Sequence, residues 1–355
     1  ILEPFGKNTA AAIAVSALYL SNKFSKDCLM LILPADHTVA DQNSFIHLIE
    51  QAIPLAAQLK LITFGALPNY PDTGYGYIQY SGTNVKKFAE KPNLDTAKEY
   101  IASGDFLWNS GIFCFSVQAV LSEMEVHCPE ILEAARKCMK KTLQGNSNNR
   151  DEITLDPGTF QKVPAESFDY AVMEKTKNAS VVSTLSGWSD VGNWQSFGDL
   201  YKPDEHNNHL DGDITTIETY DSIILSDNRA VGTIGVDNMI IIDTPDALLI
   251  TKKNHSQEVG KIFRTLELTE HPSTISSKIE VTAWGKTIIL EESHEAMVRK
   301  ILVNPHQFME LTVTTDVQAT WFVLAGNAKF ATRDNALTVA KNESFTMIGE
   351  TLVSI

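Results

Sequence analysis

Over its first 200 residues the chain alternates short, wholly apolar runs with stretches of helical period, and after Tyr201 the helices stop. That switch limits the fold more than any single motif. Residues 28–33 form an apolar run closed by Pro34, too short for a buried helix and suited to a strand covered on both faces. Residues 61–64 and 112–115 read the same way, and 85–88 reads as a further short strand. Between them lie helical patterns: 8–20 with Asn8 or Thr9 as N-cap, 41–59 apart from Pro54, 94–103, and 117 to about 143. Strands alternating with helices predict an α/β domain with a mostly parallel sheet. The polar, Asn-rich stretch 144–157 predicts a loop.

Beyond Tyr201, short β-like runs recur at 222–225, 230–234, 239–242 and 247–250, separated by Asp-Asn and Pro-Asp turns. They predict a separate small β unit. Residues 257–266 suit a connecting helix and 269–277 a linker. From 281 to 355 the pattern is again all β and suits a small barrel or jelly roll. The expected domains are 1–205, 206–268 and 278–355.

Charge narrows the partners. Twenty-nine basic against 44 acidic side chains give a formal charge of -15, which repels nucleic acid and anionic membrane. An anionic small molecule needs a local basic spot or a mediating metal. The four cysteines form no CxxC pair and read as buried free thiols of a reducing compartment. The longest nearly apolar run, 10–20, is shorter than the roughly 20 residues of a membrane span. No basic segment precedes an apolar one at the start, so a cytoplasmic location is expected.

Several residues could carry chemistry. Asp36, in Leu33-Pro34-Ala35-Asp36-His37, follows the first strong strand, where ligands of open α/β sheets bind. It reads equally as a helix N-cap or a cation ligand. Asp190, in Gly187-Trp188-Ser189-Asp190, follows another strand-like run, and the two carboxylates could share one Mg²⁺. Lys91 and Lys175 sit near strand ends and could bind phosphate, although each taken singly is more often a solvated surface group. Gly74-Tyr75-Gly76 allows close backbone approach to a ligand, or simply a tight turn. No P-loop, GxGxxG or GxSxG is present. His206 and His209 lie in a polar loop and read as surface.

In order along the chain, Glu3–Ala10, Leu33–His37, Thr73–Ile78, Phe88–Pro92, Trp108–Phe113, Ser167–Lys175 and Trp188–Trp194 resemble the long bacterial mannose-1-phosphate guanylyltransferase family, which carries a type II mannose-6-phosphate isomerase domain. The resemblance implies a Rossmann-like nucleotide-diphospho-sugar transferase domain, a β-helix-like linker unit and a cupin-like barrel. It implies GTP-dependent transfer to mannose 1-phosphate, with GDP-mannose and pyrophosphate as products. Asp36 and Asp190 would hold the catalytic Mg²⁺. Glu3, Asn8, Thr9, Ala10, Pro34 and Asp36 would bind the nucleotide. Gly74, Tyr75, Gly76, Glu90, Asn109 and Asp169 would bind the sugar phosphate, with Lys91 and Lys175 neutralising its charge. Lys7 stands where the family usually has Arg.

The family opens with a Gly-rich phosphate loop, and this sequence begins after it, so the transferase activity is expected of the gene product, and inactivity of the fragment without that loop stays an open alternative. A homo-oligomer is an open option. The cupin-like region resembles the family's at 299–305 and 321–328, but Thr314-Thr315 and Ala319-Thr320 replace its metal-binding His and Glu pairs, with a third His position near Leu352. A barrel without metal or isomerase activity is expected there, its inward positions including Ile301, Leu311, Val323 and Phe345. The alternatives are a bifunctional enzyme with isomerase activity and a non-catalytic sugar-nucleotide-binding relative.

Overall fold

The computed structural model describes all residues except 146–151, 184, 294, 314–317, 332–335, 349–350 and 355. It divides into two compact units, Ile1–Gly192 and Asn193–Ile355. At the start of the second unit, Trp194, Phe197 and Tyr201 pack against Ile223, Leu225 and Ile240 of its β strands.

In the first unit the helices are α1 (Asn8–Lys23), α2 (Gln42–Ala57), α3 (Leu94–Ser103), α4 (Val117–His127) and α5 (Pro129–Gly145). Its strands are β1 (Leu29–Ile32), β2 (Thr38–Val39), β3 (Leu61–Ala66), β4 (Tyr77–Ser81), β5 (Asn84–Ala89), β6 (Phe106–Ser116), β7 (Ala179–Ser183) and β8 (Trp188–Ser189). Local chemistry sets many ends. Asp41, Asn93 and Ser116 accept from backbone N–H groups and cap α2, α3 and α4. Asp36 is therefore not the cap of α2. The helical pattern 117–143 is two helices, because Pro129 bars Cys128 from helical backbone and then starts α5 itself.

The sheet runs β1-β6-β3-β7-β5-β4. The strands β1, β3, β4 and β7 share one direction, but only β3 and β7 pair in parallel, because the long β6 runs antiparallel between β1 and β3. Its first residues also pair with β4, which closes β6, β3, β7, β5 and β4 into a five-stranded ring. Alternation along β6 feeds two cores. Phe113 and Phe115 join the core beneath α1, α4 and α5, while Ile112 and Cys114 join the one beneath α2.

Midway, β6 bulges. Thr63 opposes Phe113 but Gly65 opposes Asn109, so Ser110–Ile112 face a single residue of β3. The Ser110 hydroxyl fills the broken ladder, donating to the Phe64 carbonyl at 2.7 Å and accepting from the Ile112 N–H at 3.2 Å. Gly111 sits at φ 70°. Bulges of this kind bend a strand and re-aim a side chain, here Asn109.

In the second unit His209–Asp211, Ile223–Ser226 and Met239–Asp243 stack in parallel, as do Ile214–Ile217 and Val231–Ile234. Turns rather than helices join them, which makes a β-helix-like coil. His209 is not a surface residue as expected; its side chain is 12% exposed and Nδ1 meets the Tyr201 carbonyl at 2.7 Å. The expected connecting helix is Val259–Leu268. The C-terminal strands then pair antiparallel, in the manner of a cupin-like barrel. Val323 is buried with Phe330 and Val339, and Phe345 packs against them. Ile301 is half-buried. Thr314-Thr315 and the side chains of Leu311 and Leu352 lie outside the described residues.

Gly111→Ala tests the bulge. The nearest atoms to an added Cβ lie at 3.6 Å or beyond, so the cost is the left-handed backbone alone, about 1–2 kcal/mol. Urea unfolding is expected to show a lower midpoint with an unchanged slope.

Candidate active site

Two loops meet across the small β2–β8 ladder. Thr38 opposes Ser189 and Val39 opposes Trp188, which sets Asp36 and Asp190 on neighbouring positions at one end of it. The Asp36 side chain is 85% exposed, with His37 Nε2 4.0 Å from Oδ1. His37 is oriented by Trp188, whose Nε1 donates to Nδ1 at 3.3 Å. Asp190 Oδ1 accepts from the Tyr75 hydroxyl at 2.7 Å and the Gly192 N–H at 2.9 Å. Its Oδ2 has no hydrogen-bond partner among the described residues. Val191, which follows, sits at φ 52°, a strained setting for a β-branched residue.

Tyr75 joins this carboxylate pair to the rest of the cleft. Its ring packs on Trp108 and Trp188, with centroids 4.9 and 5.4 Å away. Burial, and then the Asp190 carboxylate it donates to, push its phenol well above the usual range. Gly74 N–H donates to Asp72 Oδ1 at 2.6 Å, which shapes the turn.

Beside it, Glu90, Asn109 and Asp169 converge. Asn109 Nδ2 donates to Asp169 Oδ1 at 2.8 Å, while its Oδ1 accepts from the Thr63 hydroxyl at 3.0 Å. Asp169 opens a five-residue π-helical turn, Asp169–Met173. A Cβ on Gly76 would strike the Glu90 carboxylate, so glycine there permits the close approach. Burial raises the Glu90 carboxyl and the Asp169 charge raises it further, with Lys91 opposing. Burial likewise raises Asp169, with the Asn109 hydrogen bond opposing. Lys91 Nζ lies 3.6 Å from Glu90 Oε1, and its backbone, at φ 46°, donates to the Tyr75 carbonyl at 3.2 Å. Lys175 is exposed and its charge bears on the Cys128 thiol; the cation facing Glu90 and Asp169 is Lys91.

The first ten residues are anchored on residues 153–168. Leu2 exchanges backbone hydrogen bonds with Ile153 and Leu155, and Lys7 Nζ donates to the Gln161 carbonyl at 2.8 Å. Thr9 does not cap α1; its hydroxyl accepts from the Phe168 N–H at 2.8 Å. Asn8, at φ 66°, instead accepts from the Thr9 N–H, and Ala10 is buried in the core of the helix layer. Glu3 Oε1 is enclosed without a hydrogen-bond partner among the described residues, and burial raises its carboxyl.

Residues 1–207 match the nucleotidyl transferase family, and residues 212–266 match the mannose-phosphate isomerase/GMP-like β-helix domain. The mannose-1-phosphate guanylyltransferase 2 of Escherichia coli O157:H7 is 38% identical over 97% of this chain and 73% of its own length. That of Salmonella muenchen is 36% identical over 97% and 73%. The chain belongs to the mannose-1-phosphate guanylyltransferase family. A solved mannose-1-phosphate geranyltransferase from Thermus thermophilus superimposes with a TM-score of 0.64, at 29% identity, over 75% of this chain and 77% of that one.

Set beside this family assignment, sequence reasoning missed the cleft's supporting side chains. His37, Trp108 and Trp188 were visible only as neighbours of chosen residues, and Thr63 carried no signal, because its role depends on the strand that lies beside it. Pro34 is half-buried against the Gly111 bulge.

The raised carboxyls have a measurable consequence. Folded Glu90 retains its proton above the ordinary value of 4.5, where the unfolded chain releases it. Stability therefore falls as pH rises from 4.5 through the higher folded value. Glu90→Gln removes that cost and is expected to raise Tm at pH 7 by about 1–3 °C while leaving Tm at pH 4 unchanged, by calorimetry.

Proposed function

We propose that the chain transfers a guanylyl group from GTP to mannose 1-phosphate, with Mg²⁺ as cofactor and pyrophosphate as the second product. The observation that carries this is the cleft itself: two carboxylates on the β2–β8 ladder, joined through Tyr75 to a second group of polar side chains around Asn109. The donor set suits Mg²⁺. Asp36 is open to solvent and Asp190 has a free Oδ2, both hard oxygen donors. Among the described residues no cluster of three or more metal-ligating side chains occurs, and Mg²⁺ commonly binds through one or two carboxylates plus phosphates and water. Bound there, it would supply charge neutralisation at the α-phosphate.

The chain's own groups account for positioning. Glu90, Asn109 and Asp169 offer acceptors and a donor to sugar hydroxyls, and Lys91 supplies positive charge for the phosphate. The sugar phosphate is already ionised at neutral pH, so it needs no strong general base, and catalysis rests on orientation and charge stabilisation. The enclosed, unpartnered Glu3 Oε1 supports guanine, because a carboxylate accepts from the N1–H and N2–H donors of guanine, whereas adenine presents an acceptor at N1. The isomerase alternative has less support. At the positions described, Ala319 and Thr320 supply no imidazole or carboxylate, and Thr320 meets the Thr346 hydroxyl at 3.1 Å.

Pyrophosphate release by the intact protein tests the reading. Asp190→Asn is expected to lower kcat at least about a hundredfold with Tm unchanged. Glu3→Gln is expected to raise KM for GTP about tenfold or more and to leave KM for mannose 1-phosphate unaltered. Full activity of Asp190→Asn, or equal turnover of ATP and GTP in the wild type, would sink it.

A further inference from the structure

We propose that the groove between α1, α4 and α5 is a second ligand site, built for a nucleoside diphosphate. The groove encloses about 820 Å³, within the usual range of roughly 300–1,000 Å³ for small-molecule sites. Its floor is apolar: Leu18 and Met139 are buried and Leu121 half-buried. Its rim carries Lys26, Arg136 and Lys140 against one carboxylate, Glu125. A local excess of cations runs against a chain that holds 44 acidic to 29 basic residues. Arg136 pairs with Glu125 at 2.8 Å, both partly in solvent, while Lys26 and Lys140 have no ion-pair partner among the described residues. An exposed pair of this kind is weak and yields readily to a phosphate.

The two surfaces together select the ligand class. Inorganic phosphate would leave the apolar floor wet, and a hydrocarbon would leave three cations unused. A base or sugar ring on Leu18, Leu121 and Met139, with its diphosphate on Lys26, Arg136 and Lys140, satisfies both. A flat bilayer cannot reach a recessed floor.

The groove is not part of the cleft described above. It lies where β1 begins and β6 ends, since Gln118 N–H donates to the Lys26 carbonyl at 2.9 Å and Val117 N–H to the Cys28 carbonyl at 2.9 Å. The candidate active site lies where β1 ends and β6 begins. Helix α4 reaches back toward that cleft: Glu123 accepts from the Thr176 hydroxyl at 2.7 Å, beside Lys175. An occupant of the groove would rest on α4, the helix that Glu123 ties to Thr176.

Equilibrium dialysis of the intact protein with radiolabelled GDP tests the site. The wild type is expected to bind one GDP per chain more than the Arg136→Glu, Lys140→Glu double variant. The single variant Lys26→Glu, placed on another element, is expected to weaken that extra site at least tenfold. All three side chains are exposed, and thermal unfolding checks that the fold is kept. Binding at the candidate active site is common to the three proteins and cancels, so the outcome does not depend on the proposed reaction. The same number of bound GDP in wild type and both variants would overturn the proposal, as would an extra site that holds inorganic phosphate as tightly as GDP.

Discussion

One amide side chain, that of Asn109, ties the first unit's cleft together. Its Oδ1 takes the Thr63 hydroxyl of β3 and the Gly111 N–H of its own bulge, and its Nδ2 donates to Asp169. Its backbone N–H donates to the Gly76 carbonyl at 2.8 Å. Four segments far apart in sequence are thus held through one buried residue. In such an enclosed setting each unmade hydrogen bond costs more than a made one returns, so the network is all or nothing. It also depends on the bulge. The bulge adds two residues to β6 opposite Phe64, which keeps the alternation and sets Asn109 level with Gly65.

The face so built is short of positive charge and long on strain. Glu90, Asp169 and Glu174 lie around Lys91, while Asp36 and Asp190 sit at the end of the β2–β8 ladder. Asn8, Lys91 and Val191 all take left-handed backbone without being glycine. Each such residue costs about 1–3 kcal/mol and persists only where its surroundings hold it. The helix layer of α1, α4 and α5 is packed with Ala10, Ala14, Phe115 and Phe168 at near-zero exposure.

The second unit solves a different problem. Its parallel coils stack without covering helices, so each coil is completed by the next and by what packs on its inner face. Trp194, Phe197 and Tyr201 do that work for Ile223 and Ile240, and Arg229 is fixed by Asp243 through paired hydrogen bonds. A helical segment that reads as the tail of the first domain is structurally the lid of the second.

Element by element, the sequence by itself was informative. Period and punctuation placed α1 to α3, β1, β3 and β5 within a few residues, but not β4 or the first half of β6, and the helical period ran through the break at Pro129. Short-range order also singled out Asp36 and Asp190, because polar residues at strand ends stand out against apolar runs, whereas Glu90, Asn109 and Asp169 were marked by the family resemblance alone. Tertiary structure alone decided the rest. The reversal of β6, its bulge, the contacts of Thr63, His37 and Trp188, and the division after Gly192 all rest on partners dozens of residues away. Local propensity reports what a segment prefers to be. Which segment lies beside it is set by register and by the burial of apolar faces, and those are properties of the assembled sheet.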